Sequence, residues 1–256
     1  MIDAHCHLQE FEDIQAIVSS AGKAGIAGMI CCGADLESSK KAIEIAEKFE
    51  QVYATVGCHP DQIFNFKFLI SSPLSRLANN QFLKLAKSKK VVAIGECGLD
   101  FLPETRKEEK SAQRELLKFN IDLAKKARLP LVVHCRNAFA DIFEIVDYDK
   151  VQMHCFTGNM EQMQECVRRG WYISFGGIVT FKSSQELREV AKAVPEDKLL
   201  VETDAPYLAP EPVRGSRNMP TNVKIVAAKI AEVRGTSINQ IEEVTTENAR
   251  LFFGLR

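Results

Sequence analysis

The chain has 256 residues, 46% of them hydrophobic and 26% charged, with 33 basic against 34 acidic side chains. That composition excludes a disordered or fibrous protein, and a net charge of −1 excludes any general attraction to nucleic acid or anionic lipid. A chain of this length buries roughly 70–75% of its unfolded surface, so neither disulfides nor a metal is needed merely to fold it.

Short apolar runs recur along the chain and alternate with amphipathic segments. Met1–His7 and Gly28–Gly33 come first, and the spacing of Ala42, Ile43, Ala46 and Phe49 then predicts a helix over Leu36–Phe49. Val52–Gly57 is followed by the irregular stretch Asp61–Ser75, too long for a tight strand-to-helix turn and suited to covering one end of the fold. Val91–Gly95 precedes a long helical segment, Glu108–Ala127. Leu131–His134, Val151–His154, Trp171–Phe175 and Leu199–Glu202 continue the apolar series, with helical patterns at Met160–Arg169 and Ser184–Ala193. Near the end, Gly235 marks a helix stop, and Ser237 with Gln240 reads as a capping box for a last helix through Phe253.

The eight apolar runs are mostly unbroken, as expected for parallel strands covered on both faces. Eight strand–helix units in one chain of this length predict an α/β fold, a (β/α)8 TIM barrel forming a single domain over residues 1–256. A doubly wound open sheet is the alternative. No apolar run reaches the roughly 20 residues needed to span a bilayer. The opening Met1-Ile2-Asp3-Ala4-His5 lacks the pattern of a secretory signal. Eight cysteines without CxxC spacing do not read as a disulfide framework. The expected compartment is a reducing cytoplasm.

In such a barrel, functional residues lie at the C-terminal ends of the strands. His5 and His7 end the first run, His59 follows the third, Glu96 the fourth, His134 the fifth, His154 the sixth and Asp204 the eighth. One buried histidine reads as a hydrogen-bonded core residue. All five histidines of the chain at strand ends read as a metal centre. His5 and His7, two apart on a strand, point to the same side. Imidazole with carboxylate suits zinc, manganese or iron, and carboxylates also admit magnesium. These residues exceed one tetrahedral shell, so two ions sharing a bridging carboxylate is the economical reading, and such pairs serve hydrolysis at phosphorus or carbonyl carbon. Cys6, Cys58, Cys97, Cys135 and Cys155 adjoin the site residues. With the histidines inward, alternation turns Cys6, Cys135 and Cys155 toward the helices, and the cysteines are assigned to packing.

Seven stretches carry a resemblance to a known family. They are Asp3-Ala4-His5-Cys6-His7-Leu8, Val56-Gly57-Cys58-His59-Pro60, Ala93-Ile94-Gly95-Glu96-Cys97-Gly98-Leu99-Asp100, and Leu129-Pro130-Leu131-Val132-Val133-His134-Cys135-Arg136. His154-Cys155-Phe156-Thr157-Gly158, Glu202-Thr203-Asp204-Ala205-Pro206-Tyr207-Leu208-Ala209-Pro210 and Arg217-Asn218-Met219-Pro220 complete them. In this order the chain resembles, nearly end to end, the TatD family of metal-dependent deoxyribonucleases within the amidohydrolase-type barrels.

The resemblance implies a first metal held by His5, His7, Glu96 and Asp204, and a second held by Glu96, His134 and His154, with Glu96 bridging. Many related barrels bridge through a carbamylated lysine, and no lysine stands at the end of the fourth run. Asp204 is the expected acceptor of the attacking water's proton. His59 is placed to meet the phosphate or the leaving group. Arg136, Arg214 and Arg217 are candidate phosphate contacts and equally candidates for structural or solvated arginines. Phe64, Phe66 and Phe68, with Lys67 among them, either stack on unpaired bases or pack their loop onto the barrel. Three departures from the family pattern fall outside the metal ligands: Asp61 in place of a second histidine, Met219 in place of an acidic residue, and Phe101-Leu102-Pro103.

The expected activity is hydrolysis of DNA phosphodiester bonds, at single strands or strand ends, with two divalent ions, Mg2+ or Mn2+ in function and Zn2+ also admitted. The alternative is a metal-dependent deacylase or amidohydrolase, for instance on aminoacyl-tRNA esters. A binding module with structural zinc fits less well, because such zinc has a closed four-ligand shell. No membrane and no obligate protein partner are expected.

Overall fold

The computed structural model describes residues 1–63 and 74–255. Eight strands, β1 Ile2–Cys6, β2 Gly28–Cys32, β3 Val52–Val56, β4 Val91–Asp100, β5 Leu131–Arg136, β6 Val151–Met153, β7 Tyr172–Phe175 and β8 Leu199–Val201, pair in sequence order. Every pairing is parallel. The circle closes just beyond β8, where Cys6 bridges Ala205, Asp204 N–H donates to the His5 carbonyl at 2.9 Å and His7 N–H donates to the Ala205 carbonyl at 2.7 Å. The result is the expected α/β barrel, and the open sheet is not formed.

Around it lie α1 Ile14–Lys23, α2 Leu36–Lys48, α3 Leu74–Leu85, α4 Lys107–Ala127, α5 Phe139–Ile145, α6 Met160–Arg168, α7 Gln185–Ala193, α8 Val223–Arg234 and α9 Ile238–Phe253. Their ends follow local chemistry. At the start of α2, the Asp35 carboxylate accepts from Ser38 N–H at 2.7 Å while Ser38 Oγ accepts from Asp35 N–H at 2.9 Å, and the face bearing Ala42, Ile43 and Ala46 is buried. The α8 helix stops at Gly235, whose φ of +64° is left-handed. The capping box expected at α9 is only half made. Ser237 Oγ accepts from Gln240 N–H at 3.2 Å, but the Gln240 amide turns away to Thr236 and Glu196.

Strand alternation divides the apolar residues between two cores. Met29, Cys31, Ile94, Cys97 and Val133 pack in the layer beneath the helices. Ile2, Ala4, Ile30, Cys32, Val132 and Leu200 fill the lower barrel interior, which Ala249, Phe252 and Phe253 of α9 plug from below. No helix among the described residues is long and apolar enough to cross a membrane.

Three extra residues break the alternation: Val92 near the start of β4, and one each in β1 and β4 that serve the mouth of the barrel. Asp3 pairs with Met29 and Cys6 with Cys31, so β1 fits Ala4 and His5 against the single Ile30 of β2. Likewise Ile94 pairs with Leu131 and Cys97 with Val133, which sets Gly95 and Glu96 against the single Val132 of β5. An extra residue reverses side-chain parity beyond it. Ala4 therefore stays in the apolar interior and His5 still turns inward; Glu96 does so by the same device. The fourth strand also runs five residues past its expected end at Gly95, reaching Asp100. Its close approach to β5 needs glycine. At Gly98 the φ is +138° and an added Cβ would lie 1.9 Å from the His134 carbonyl oxygen.

The cysteines divide. All eight are free, and seven are buried. Cys6 and Cys135 join the helix-side core as expected, Cys135 also touching the cavity wall, and Cys97 packs there too. Burial pushes the Cys31, Cys135 and Cys166 thiols up to about 12, the behaviour of inert packing groups. Cys155 departs from the expectation. Because β6 ends at Met153, alternation no longer governs it, and Cys155, at φ +43°, lines the mouth instead of facing the helices.

Candidate active site

The site residues reach the mouth by different routes. His5 and Glu96 come from the bulged strands and His7 from the turn after β1. His59 stands just before the short helical turn Pro60–Gln62, His134 lies within β5, and His154 and Asp204 follow β6 and β8. Asp204 sits at φ +59°, an unfavourable region for a non-glycine residue, fixed by its bond to His5.

Glu96 is the centre of the cluster. Its Oε2 lies 3.3 Å from His5 Nε2 and 3.6 Å from His7 Nε2. Its Oε1 lies 3.2 Å from His134 Nδ1, 3.5 Å from His154 Nε2 and 3.5 Å from His59 Nε2. Asp204 Oδ1 is 3.4 Å from His7 Nε2, 3.7 Å from His5 Nε2 and 3.9 Å from His154 Nε2. The structure thus gathers all six residues expected as ligands, and it brings His59 to the same Glu96 oxygen as His134.

A second ring of acceptors aims the imidazoles. His7 Nδ1 meets the Cys32 carbonyl at 3.0 Å, which fixes the proton there and leaves Nε2 to the centre. His154 Nδ1 meets Glu202 Oε1 at 2.6 Å, His134 Nε2 meets Asp100 Oδ2 at 3.4 Å, and His59 Nδ1 meets Asp61 Oδ1 at 2.9 Å. Glu202 is itself held, accepting from Cys155 N–H at 2.8 Å and from Gln152 Nε2 at 3.2 Å. Among these outer nitrogens His5 Nδ1 faces no carboxylate or carbonyl, whereas His134 Nε2 and His154 Nδ1, equally without a hydrogen bond of good geometry, lie against Asp100 and Glu202. Sequence reasoning missed Glu202 and Asp100 as partners. The signal was present for Glu202, a carboxylate directly after the apolar run of β8.

The electrostatics favour ionised carboxylates. Burial works to raise the Glu96 carboxyl, but His59, His154 and His5 around it, with a hydrogen bond to His134, hold it well below the usual range. Asp204 is lowered in the same way, burial being outweighed by its hydrogen bond to His7 and the nearby His154 and His5. Burial, with His154 close by, lowers His5. His154 rises to about 10, because Glu202 and Glu96 outweigh its burial.

This donor set fits divalent cations. Among the described residues four groups each bring three ligand atoms within 4.8 Å of one another: His5, Glu96 and His154; His5, His7 and Asp204; His59, Glu96 and His134; and His154, Cys155 and Glu202. Imidazole nitrogens and carboxylate oxygens converge there more closely than shared protons could join them all. Nitrogen and oxygen ligands of this kind suit zinc, manganese and magnesium.

The substrate contacts expected from sequence fare unequally. Arg136 lines the cavity, half-exposed, with Nε 3.6 Å from Asp100 Oδ1. Arg217 lies 4.6 Å over the Phe11 ring and donates to the carbonyl of Glu10, a residue of the cavity wall. Arg214 stacks on Phe181 at 4.1 Å. Of the departures, Asp61 braces His59, while Met219 and Phe101 pack against the core. The segment holding Phe64, Phe66, Lys67 and Phe68 lies outside the described residues.

Comparison with known proteins agrees with this geometry. The family model for TatD-related DNase matches residues 2–254. The YabD metal-dependent hydrolase of Bacillus subtilis is 36% identical, covering 99% of this chain and 98% of its own. A relative in Citrobacter koseri named 3′-5′ ssDNA/RNA exonuclease TatD is 33% identical over 96% of this chain and 95% of its own. The crystal structure of YjjV, a TatD homologue from Escherichia coli, superposes with a TM-score of 0.88 at 27% identity, covering 100% of this chain and 98% of that one. Barrel, site and relatives converge, and the chain belongs to the TatD family of metal-dependent hydrolases.

Proposed function

We propose that this hydrolase cleaves phosphodiester bonds of DNA, at single strands or strand ends, with two divalent ions, Mg2+ or Mn2+ in function. The observation that carries the reading is Glu96, one of whose oxygens faces His5 and His7 while the other faces His59, His134 and His154. His5, His7, Glu96 and Asp204 would hold one ion, and Glu96, His134 and His154 the other. When bound, such a pair supplies a water acidic enough to attack at neutral pH and offsets charge on the phosphate oxygens.

The remaining steps belong to the protein. Asp204, ionised and beside His5 and His7, takes the proton from the attacking water. His59, more open to the mouth than His5, meets the phosphate or the leaving oxygen, with Asp61 fixing its ring. Arg136 offers a guanidinium to a phosphate at the rim. The relative named as a 3′-5′ ssDNA/RNA exonuclease supports an unpaired substrate and adds RNA to the polymers worth testing.

A second reading is a deacylase acting on aminoacyl-tRNA esters. Glu10, Asp35 and Asp61 line the mouth, and such carboxylates suit an ammonium beside an ester. Both readings are separated by metal-depleted protein reloaded with Mn2+ and assayed on single-stranded DNA, duplex DNA, RNA and aminoacyl-tRNA, with Glu96→Ala as control. The nuclease reading predicts fastest loss of single-stranded DNA and none with Glu96→Ala. Turnover of aminoacyl-tRNA alone would transfer the assignment to the deacylase.

A further inference from the structure

Beside the metal-ligand cluster, the mouth presents two exposed apolar side chains. Tyr207 is 51% exposed and Leu208 is 38% exposed, and both line the same cavity as Glu96 and Asp204. The Tyr207 ring stands edge-on to His7 with centroids 5.8 Å apart. Isolated surface apolar groups need no explanation, but these two are held rigidly.

Their backbone is fixed from three sides. Tyr207 N–H donates to the Asp204 carbonyl at 2.8 Å. Asn218, fully buried, donates through Nδ2 to the Tyr207 carbonyl at 2.7 Å and to the Thr203 carbonyl at 2.8 Å. Leu208, at φ +53°, presses its carbonyl oxygen into the place where a Cβ on Gly177 would lie 2.0 Å away. A loop tied this firmly, in a conformation leucine disfavours, keeps two apolar side chains in water next to the reacting centre. That arrangement preorganises a contact surface.

The charges at the mouth say what kind of contact is needed. Among the described residues lining the cavity, Arg136 is the sole lysine or arginine, amid Glu10, Asp35, Asp61 and Asp100, and Arg217 acts on Tyr207 from just outside the wall. A polyanion entering there meets more carboxylates than cations apart from the metal centre, so contacts to its bases must add affinity. Every base has a π-face that stacks on an aromatic ring, without sequence preference. We infer that Tyr207 and Leu208 form a shelf on which an unpaired nucleobase adjoining the scissile phosphate stacks. This rests on the nuclease reading and explains its selectivity, since a paired base is already stacked within its duplex.

The test uses metal-loaded enzyme and two single-stranded oligonucleotides, one ordinary and one with the three nucleotides at each end replaced by tetrahydrofuran abasic units. Wild type should show a KM for the abasic-ended strand about tenfold to a hundredfold higher than for the ordinary one, the usual worth of one stacked base. Tyr207→Ala should lose that discrimination and Tyr207→Phe should keep it, with Leu208→Ala in between. Equal discrimination in wild type and Tyr207→Ala, or none in wild type, would overturn the shelf while leaving the nuclease intact. Wild-type turnover of neither strand would overturn the nuclease reading and the shelf together.

Discussion

The two ends of this barrel are built from the same eight strands and obey different rules. The lower interior is apolar: Ile2, Ala4, Ile30, Val132 and Leu200 meet Phe252 and Phe253 of α9, and the extra residue of β4 there brings both Val92 and Ala93 inward. The upper end buries His5, His7, Glu96, His154, Glu202 and Asp204. It reaches that arrangement by extra residues in β1 and β4 and by a left-handed backbone at Asp204. Apolar packing supports folding at one end. Broken geometry aims ligands at the other.

The sharpest way to break this comparison is to strike each end separately and ask which property falls. Glu96→Ala at the upper end should lower kcat by about a thousandfold or more, since both proposed metal positions lose a shared ligand. Elemental analysis of the same protein should show the metal lost, and retained turnover with a full complement would sink the two-metal assignment. Leu200→Ala at the lower end should cost about 2–5 kcal/mol in urea unfolding through the cavity it leaves. Its kcat with metal bound should stay within about twofold of wild type, because alanine there still leaves the upper ring of ligands in place.

Milder changes sharpen the boundary between the halves. Glu202→Gln removes the charge that orients His154 but keeps a similar shape. Metal affinity, measured by equilibrium dialysis, should fall about tenfold to a hundredfold, as for other partners of metal-binding histidines. An unchanged affinity would place Glu202 with the scaffold. The smallest effect concerns salt. With Arg136 as the one arginine or lysine on the described cavity wall, log kcat/KM on single-stranded DNA should fall against log salt with a slope of roughly −1. A much steeper slope would reveal a basic track elsewhere.

Much of this was legible beforehand, for reasons of physics. Buried parallel strands read as unbroken apolar runs, so all eight appeared near their true positions. Histidine is scarce here, and five at strand ends announced the centre. What stayed hidden depends on register. The sequence Ala93-Ile94-Gly95-Glu96 looks like a strand ending, yet β4 continues through Asp100 because the bulge at Gly95 and Glu96 realigns it with β5. Parity alone would have placed His5 with outward-facing Asp3; only the pairing with β2 shows the extra residue that turns it inward. Cys155 was misread for the same reason, its strand ending two residues earlier. Arg217, a candidate phosphate contact and equally a candidate structural arginine, meets Phe11 and the Glu10 carbonyl, contacts that its place in the chain does not reveal.

The central claim is that Glu96 joins two cation positions into one working centre. Titrating metal-depleted wild-type protein with Mn2+, while following bound ion by equilibrium dialysis and turnover of single-stranded DNA in the same samples, tests it most directly. The account predicts that turnover rises with the second equivalent and saturates when two ions are bound per chain. Full turnover at one bound ion per chain would contradict it.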